Sequence, residues 1–229
     1  GGGIDYKRWP LSEDGASLYW NGLNRGKKSV VADLRSPEIQ RLLSELIANS
    51  GNFLTNFPAK GWLSYEKISE QKPDVVMVAI TGSHDGTTAV DYTINCAVGI
   101  PSITGHPDDP RPVNHSLPAW DLICGQTAAL GMLAADRYRT QTGKGQLVSL
   151  ALSDVALAAV AWRGDLTEVE LGGEERKKLG NDLYGAFGRD FLTLDGRHVM
   201  VVAITQRPVS YTHLRAHETP EHLVLAGVG

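Results

Sequence analysis

The chain is poor in cysteine and has no surplus of positive charge; each scarcity closes off a class of protein. Its 229 residues include two cysteines, Cys96 and Cys124, and no CxxC pair. Neither a disulfide framework nor a thiolate zinc site is indicated, and both cysteines read as buried thiols of a reducing compartment. Lys and Arg number 22 against 26 Asp and Glu, with no basic stripe, which argues against a nucleic-acid partner. The longest weakly charged run, 147–162, is interrupted by Asp154 and is too short to span a bilayer, so no membrane partner is expected. The opening residues carry no leader pattern, and the expected location is the cytoplasm. GxGxxG, GxxxxGK[ST], GxSxG and HExxH are all missing, so dinucleotide, P-loop, serine-hydrolase and zincin sites have no support. His84, His106, His115 and His198 show no ligand spacing and read as surface or hydrogen-bonded histidines; no metal is expected.

What is present is an alternation of strand and helix patterns. Residues 29–33 (SVVAD) are β-branched and predict a strand; Pro37 then opens a helix with Ile39, Leu42, Leu43, Leu46 and Ile47 on one face. Residues 52–56 predict a second strand, and Ser64 is placed to cap a short helix. The near-continuous apolar run 75–81 has the pattern of a strand buried on both faces. It ends in the turn-rich 82–86 loop, where an ordinary turn competes with a phosphate nest. Asp121 opens the strongest helical pattern, with Ile123, Ala128, Leu130, Leu133 and Ala134 as its apolar residues, ending at Thr142-Gly143. A strand over 146–151 follows, then a helix capped by Ser153-Asp154 and running to Trp162. The charge run 174–178 reads as a solvated face, and 192–202 reads as a hairpin turning at Asp195-Gly196. Short connections between alternating elements imply an α/β domain with a mostly parallel sheet.

Asp121 is chemically two-sided. An Asp at a helix start is commonly an N-cap. The same helix amides and dipole can also hold a carboxylate ionised in an apolar cleft, where it can act as a nucleophile. Composition and periodicity alone go no further than an α/β domain.

Several stretches together resemble family III (CaiB/BaiF-type) CoA-transferases: Asn24-Arg25-Gly26-Lys27-Lys28-Ser29 with Asp33-Leu34, Asn56-Phe57-Pro58, Tyr65-Glu66, Ile80-Thr81-Gly82, Asp121 with its helix, and 139–146 as RxxTGxGQ. The block from Asp121 through that motif to Asp154 is the most specific, and the likeness covers about residues 1–207. Residues 61–66, 118–121 and 180–191 look like the branch that moves CoA between the C1 and C4 carboxyls of mesaconate, within a 3-hydroxypropionate carbon-fixation cycle. The resemblance implies a Rossmann-like parallel sheet with flanking helices over 1–163, then 164–207 as a linker and the start of a small domain. It implies Asp121 as nucleophile, passing through a mixed anhydride to an aspartyl-CoA thioester, and no cofactor beyond the CoA of the substrate. It further implies an interlocked homodimer acting on an acyl-CoA.

By position, CoA contacts fall on Ala32, Asp33, Leu34 and Arg35, on Asn56, Phe57 and Pro58, and on Thr88, Ala89, Val90 and Asp91. Arg35 is the implied phosphate partner, and Lys60 stands in for an arginine that formyl-CoA transferase has after the 56–58 stretch. The glycine-rich loop that covers the aspartate in that enzyme is replaced here by 180–185, which disfavours an oxalate enzyme and turns Asn181 and Tyr184 toward a dicarboxylate. Two other readings stay open: an intermolecular CoA-transferase, and a non-catalytic CoA-binding fragment. The racemase branch needs a histidine where Val90 stands and is disfavoured. The ends read as interrupted. The first residues are Gly1-Gly2-Gly3 with no Met, and 209–219 resembles translated sequencing-adapter DNA. On that reading 208–229 is not native, and His213, His217 and His222 form no site.

Overall fold

The computed structural model describes residues 4–204; the expected adapter-like tail, 208–229, lies outside them. A 3-10 turn at Ile4–Lys7 and helix α1 (Leu18–Leu23) lead to α2 (Pro37–Ser50). Strand β1 (Asn52–Thr55), helix α3 (Tyr65–Gln71) and strand β2 (Val76–Thr81) make one β-α-β crossover. Helices α4 (Asp91–Ala97), α5 (Ile100–Ile103) and α6 (Ala119–Thr142) make the next, ending in strand β3 (Gln146–Ala151). The sheet is parallel, in the order β1-β2-β3, with Asn52 opposite Val76 and Val76 opposite Gln146. Helix α7 (Leu152–Trp162) closes the α/β unit, and α8 (Asp165–Gly172) leads to an antiparallel hairpin of β4 (Phe187–Leu192) and β5 (His198–Ala203).

The core follows from β2. Val75, Val76, Met77 and Val78 are fully buried, as the uninterrupted apolar run requires of a central parallel strand. One face packs on Ile47, Leu63 and Ile68; on the other side of the sheet Ile94, Trp120, Cys124 and Leu152 join α4, α6 and α7. Ser64 caps α3 by accepting the Lys67 amide at 3.3 Å. Gly145 is obligatory, because a Cβ there would lie 2.1 Å from the Val75 carbonyl oxygen. Among the described residues, no helix is long and apolar enough to cross a membrane.

Several expectations are corrected. Residues 29–33 do not pair into a strand: β1 is the sheet edge, and Val30 and Val31 lie 72% and 90% exposed. Helix α6 begins at Ala119, so Asp121 is its third residue and Pro118 takes the N-cap position. It buries Trp120, Cys124, Ala128 and Ala135, whereas Leu130, Leu133 and Ala134 face outward. Ser153 and Asp154 lie inside the first turn of α7 rather than capping it, and Cys96 is exposed while Cys124 is buried. The 174–178 run is not simply solvated. Arg176 is nearly buried between Asp165 (2.6 Å) and Glu168 (2.6 Å), and Lys178 donates to the carbonyls of Asp109 and Arg111.

Candidate active site

Parallel α/β sheets gather ligands at the carboxyl ends of their strands, where loops and helix N-termini converge. Here β1 runs into Asn56-Phe57, β2 into the 82–90 loop, and β3 into α7. The loop after β2 folds tightly on itself. A Cβ on Gly82 would lie 2.2 Å from the Ala89 amide nitrogen, so only glycine lets Ala89 close on the strand end. The Ser153 amide donates to the Gly82 carbonyl (3.1 Å), the His84 amide donates to Ser153 Oγ (3.0 Å), and His84 Nδ1 pairs with Asp154 Oδ2 at 2.9 Å. These contacts tie the ends of β2 and β3 together and aim the loop at α4.

Asp91, the first residue of α4, is 2% exposed. Its Oδ2 accepts the backbone amides of Trp120 (2.8 Å) and Asp121 (3.1 Å). It thereby caps α6 from another helix, supplying what Pro118 has no side-chain acceptor to give. Beneath it, Trp120 Nε1 donates to Asn95 Oδ1 (3.0 Å) and Asn95 Nδ2 donates to Asn114 Oδ1 (2.6 Å). His115 packs edge-on against Trp120 and tilted against Tyr92, each at 6.2 Å.

Asp121 stands above this lattice with its carboxylate at the surface of the first turn of α6. Partial desolvation by the surrounding chain, and then the like charge of Asp91, raise its pKa above the usual carboxylate value, while Arg8 works the other way. Sequence reasoning gave the helix amides to Asp121; Asp91 takes two of them, its own included. Arg8 is positioned by Asp5 (3.1 Å) and by stacking over Tyr19 at 4.4 Å. Cys124, one turn on, is pushed up to about 11 by burial and the Asp121 charge, so it stays a thiol at neutral pH. Asp91 and Arg8 were thus missed as partners of Asp121. They lie far from it in sequence, and no local motif marks them.

The CoA-contact positions divide. Leu34, Asn56 and Phe57 line one groove of about 580 Å³ with Leu43, Leu46 and Trp62. Ala32 and Asp33 flank it in sequence, and Arg35 forks onto Asp33 at 3.0 and 3.2 Å on the exposed surface. Pro58 and Lys60 are exposed just beyond β1. Thr88 and Val90 are exposed and Ala89 is half-buried against Gly82, but none of them lines that groove. Asp91 is a correction: it is buried and engaged in capping α6, not free to meet CoA. Tyr184 and Asn181 are held elsewhere too. The Tyr184 hydroxyl donates to Glu168 (2.9 Å) with Arg176 over its ring at 3.7 Å, and Asn181 bonds Asp190.

The model of CoA-transferase family III matches residues 3–223 of this chain, running past Arg207, where the sequence likeness was expected to end. The chain belongs to CoA-transferase family III. It is 52% identical over 210 residues to 2-methylfumaryl-CoA isomerase of Chloroflexus aurantiacus, covering 90% of this chain and 51% of that protein. Succinyl-CoA–D-citramalate CoA-transferase of the same organism is 32% identical over 178 residues, covering 74% of this chain and 44% of the relative. The chain therefore spans about half the length of the curated relatives it matches. A CaiB/BaiF family protein from Brucella suis superposes with a TM-score of 0.74 at 24% identity, over 88% of this chain and 56% of that one, which supports the fold.

Proposed function

We propose that this family III chain carries the nucleophile and part of the CoA-holding surface of an enzyme that moves CoA between the C1 and C4 carboxyls of 2-methylfumaryl-CoA. The observation that carries the reading is the 52% identity to 2-methylfumaryl-CoA isomerase across 90% of the chain. Asp121 attacks the thioester carbonyl and CoA leaves as the thiolate, giving a mixed anhydride. The thiolate then attacks the aspartyl carbonyl, forming an aspartyl-CoA thioester and releasing the first carboxylate of mesaconate. The second carboxylate attacks that thioester, the thiolate departs again, and its return to the mesaconyl carbonyl regenerates Asp121. Two acyl exchanges replace one difficult transfer. Keeping mesaconate bound makes the second attack effectively unimolecular.

In this reading residues 1–163 belong to the large CoA-binding domain and 164–207 lead into a small one. Asn181 and Tyr184 would meet the dicarboxylate only after leaving their contacts with Asp190 and Glu168. CoA is part of the substrate and no other cofactor takes part. The full-length enzyme is a cytoplasmic interlocked homodimer serving a 3-hydroxypropionate route.

The test is to incubate full-length enzyme with 2-methylfumaryl-CoA and no acceptor acid, following the C1 and C4 thioesters by chromatography. Interconversion is expected. Turnover that begins only when an external carboxylate is added would make it an intermolecular transferase, like the relative at 32% identity. Asp121→Ala is expected to lower turnover at least about 10³-fold, as loss of a covalent nucleophile does, with CoA-ester binding kept.

A further inference from the structure

Asp91 leaves one oxygen unused. Oδ2 caps α6, but Oδ1 has no hydrogen-bond partner, although the side chain is only 3% exposed. Both ring nitrogens of His115 are likewise buried and unpartnered, and Nε2 lies 3.9 Å from Asp91 Oδ1. That gap is too long for a hydrogen bond, yet a slight swing of the ring closes it. Nothing bonded to either ring nitrogen opposes the swing; the aromatic neighbours of the ring are Tyr92, tilted, and Trp120, edge-on. A buried carboxylate with an unsatisfied oxygen and a buried imidazole with two unsatisfied nitrogens are each unfavourable alone and complementary together.

Resting on the reading of Asp121 as nucleophile, we propose that Asp91 and His115 are a positioning pair. Asp91 fixes the first turn of α6, and a protonated His115 offsets the charge that Asp91 places beside the Asp121 carboxylate. The direction follows from the groups that face Asp121: Asp91 from α4, Arg8 and Asp5 from the first turn, Tyr19 from α1, and Cys124 on its own helix. Of the like charges in that set Asp91 acts most strongly on Asp121, and it is the one His115 can reach; Tyr92 is the other titratable group against the imidazole. With His115 protonated, Asp91 repels a second carboxylate less, and Asp121 stays ionised to lower pH. Capping alone predicts no such link.

The chain is labelled with ¹³C at its aspartate carboxyls, Asp121 is assigned from Asp121→Asn, and its titration is followed by NMR. His115→Gln is expected to raise the Asp121 midpoint by about one pH unit, the scale of a nearby opposite charge. Asp91→Asn keeps an oxygen for the two amides and is expected to lower it. In the Asp91→Asn background, His115→Gln is expected to move it little. An unchanged midpoint in Asp91→Asn overturns the proposal in favour of a cap alone. An equal His115→Gln effect in both backgrounds overturns the pairing. If Asp91→Asn does not fold, His115→Gln decides by itself, and an unmoved midpoint overturns the proposal. The NMR readout needs no turnover, so persistent turnover by Asp121→Ala in the full-length enzyme would sink the nucleophile reading separately.

Discussion

The parallel-sheet unit and the hairpin that follows it are held together by different physics. Around β2 cohesion is apolar: four consecutive residues are fully buried, with aliphatic side chains packed on either face. Around the hairpin the strands expose much of their apolar surface, with Phe187, Val199, Met200 and Val202 each 46% exposed. What holds that end is a polar clasp, in which Arg176 joins Asp165, Glu168 and the Tyr184 ring. The sheet unit carries Asp121 on a continuous apolar core, whereas the hairpin end is pinned at a few charged points.

The strongest way to break that contrast is through the sheet. Met77→Ala removes a fully buried side chain from the central strand and is expected to cost about 3 kcal/mol, seen as one cooperative loss in urea unfolding. If only the hairpin signal moved, the base would not be the cooperative unit. Arg176→Ala strips the closer of two arginine partners from a nearly buried Asp165, leaving Arg163 at 3.4 Å, and is expected to cost about 2 kcal/mol. Its loss should be local, with hydrogen exchange rising in β4 and β5 while the amides of β2 stay protected. Ser64→Ala deletes one cap on α3, which carries Ile68 into the core, and is expected to lower global stability by about 1 kcal/mol.

Acid gives the smallest but most discriminating effect. Glu168 lies below its usual pKa because of Tyr184 and then Arg176, and Asp190 lies below because of His198 and Asn181. Their support is complete above their unfolded values and is lost as pH falls through the lowered ones. Asp121 is raised, so its ionisation weakens the fold as pH climbs from the unfolded value through the raised one. Acidification is thus expected to open the clasp while relieving Asp121, and Asp121→Asn should be slightly more stable than the parent at neutral pH but not near pH 3. Thermal melts at both pH values, read by hairpin and sheet probes, check this.

What the sequence disclosed follows the range of the interactions involved. The run 75–81 and the Asp195-Gly196 hairpin are local patterns, and both appear where expected. The 29–33 strand failed because β-branching gives a propensity, whereas a ladder needs a partner, and none pairs with it among the described residues. Which face of α6 is covered was not legible, because a long helix rich in apolar residues does not declare which stripe is buried. The position of Asp121 near the start of α6 was legible, but its surroundings were not. The capping of α6 by Asp91 joins residues 30 positions apart, and the Arg176 clasp looked like an ordinary charge run.

The contrast between the two cysteines carries a practical consequence. Cys124 is buried and held as a thiol, while Cys96 is exposed on α4, the helix that begins with Asp91. The unmodified sequence therefore offers one reactive handle for a maleimide fluorophore or spin label, without cysteine replacement. A reporter there sits on the helix whose first residue caps α6 at Asp121, and so reports on the surroundings of that carboxylate.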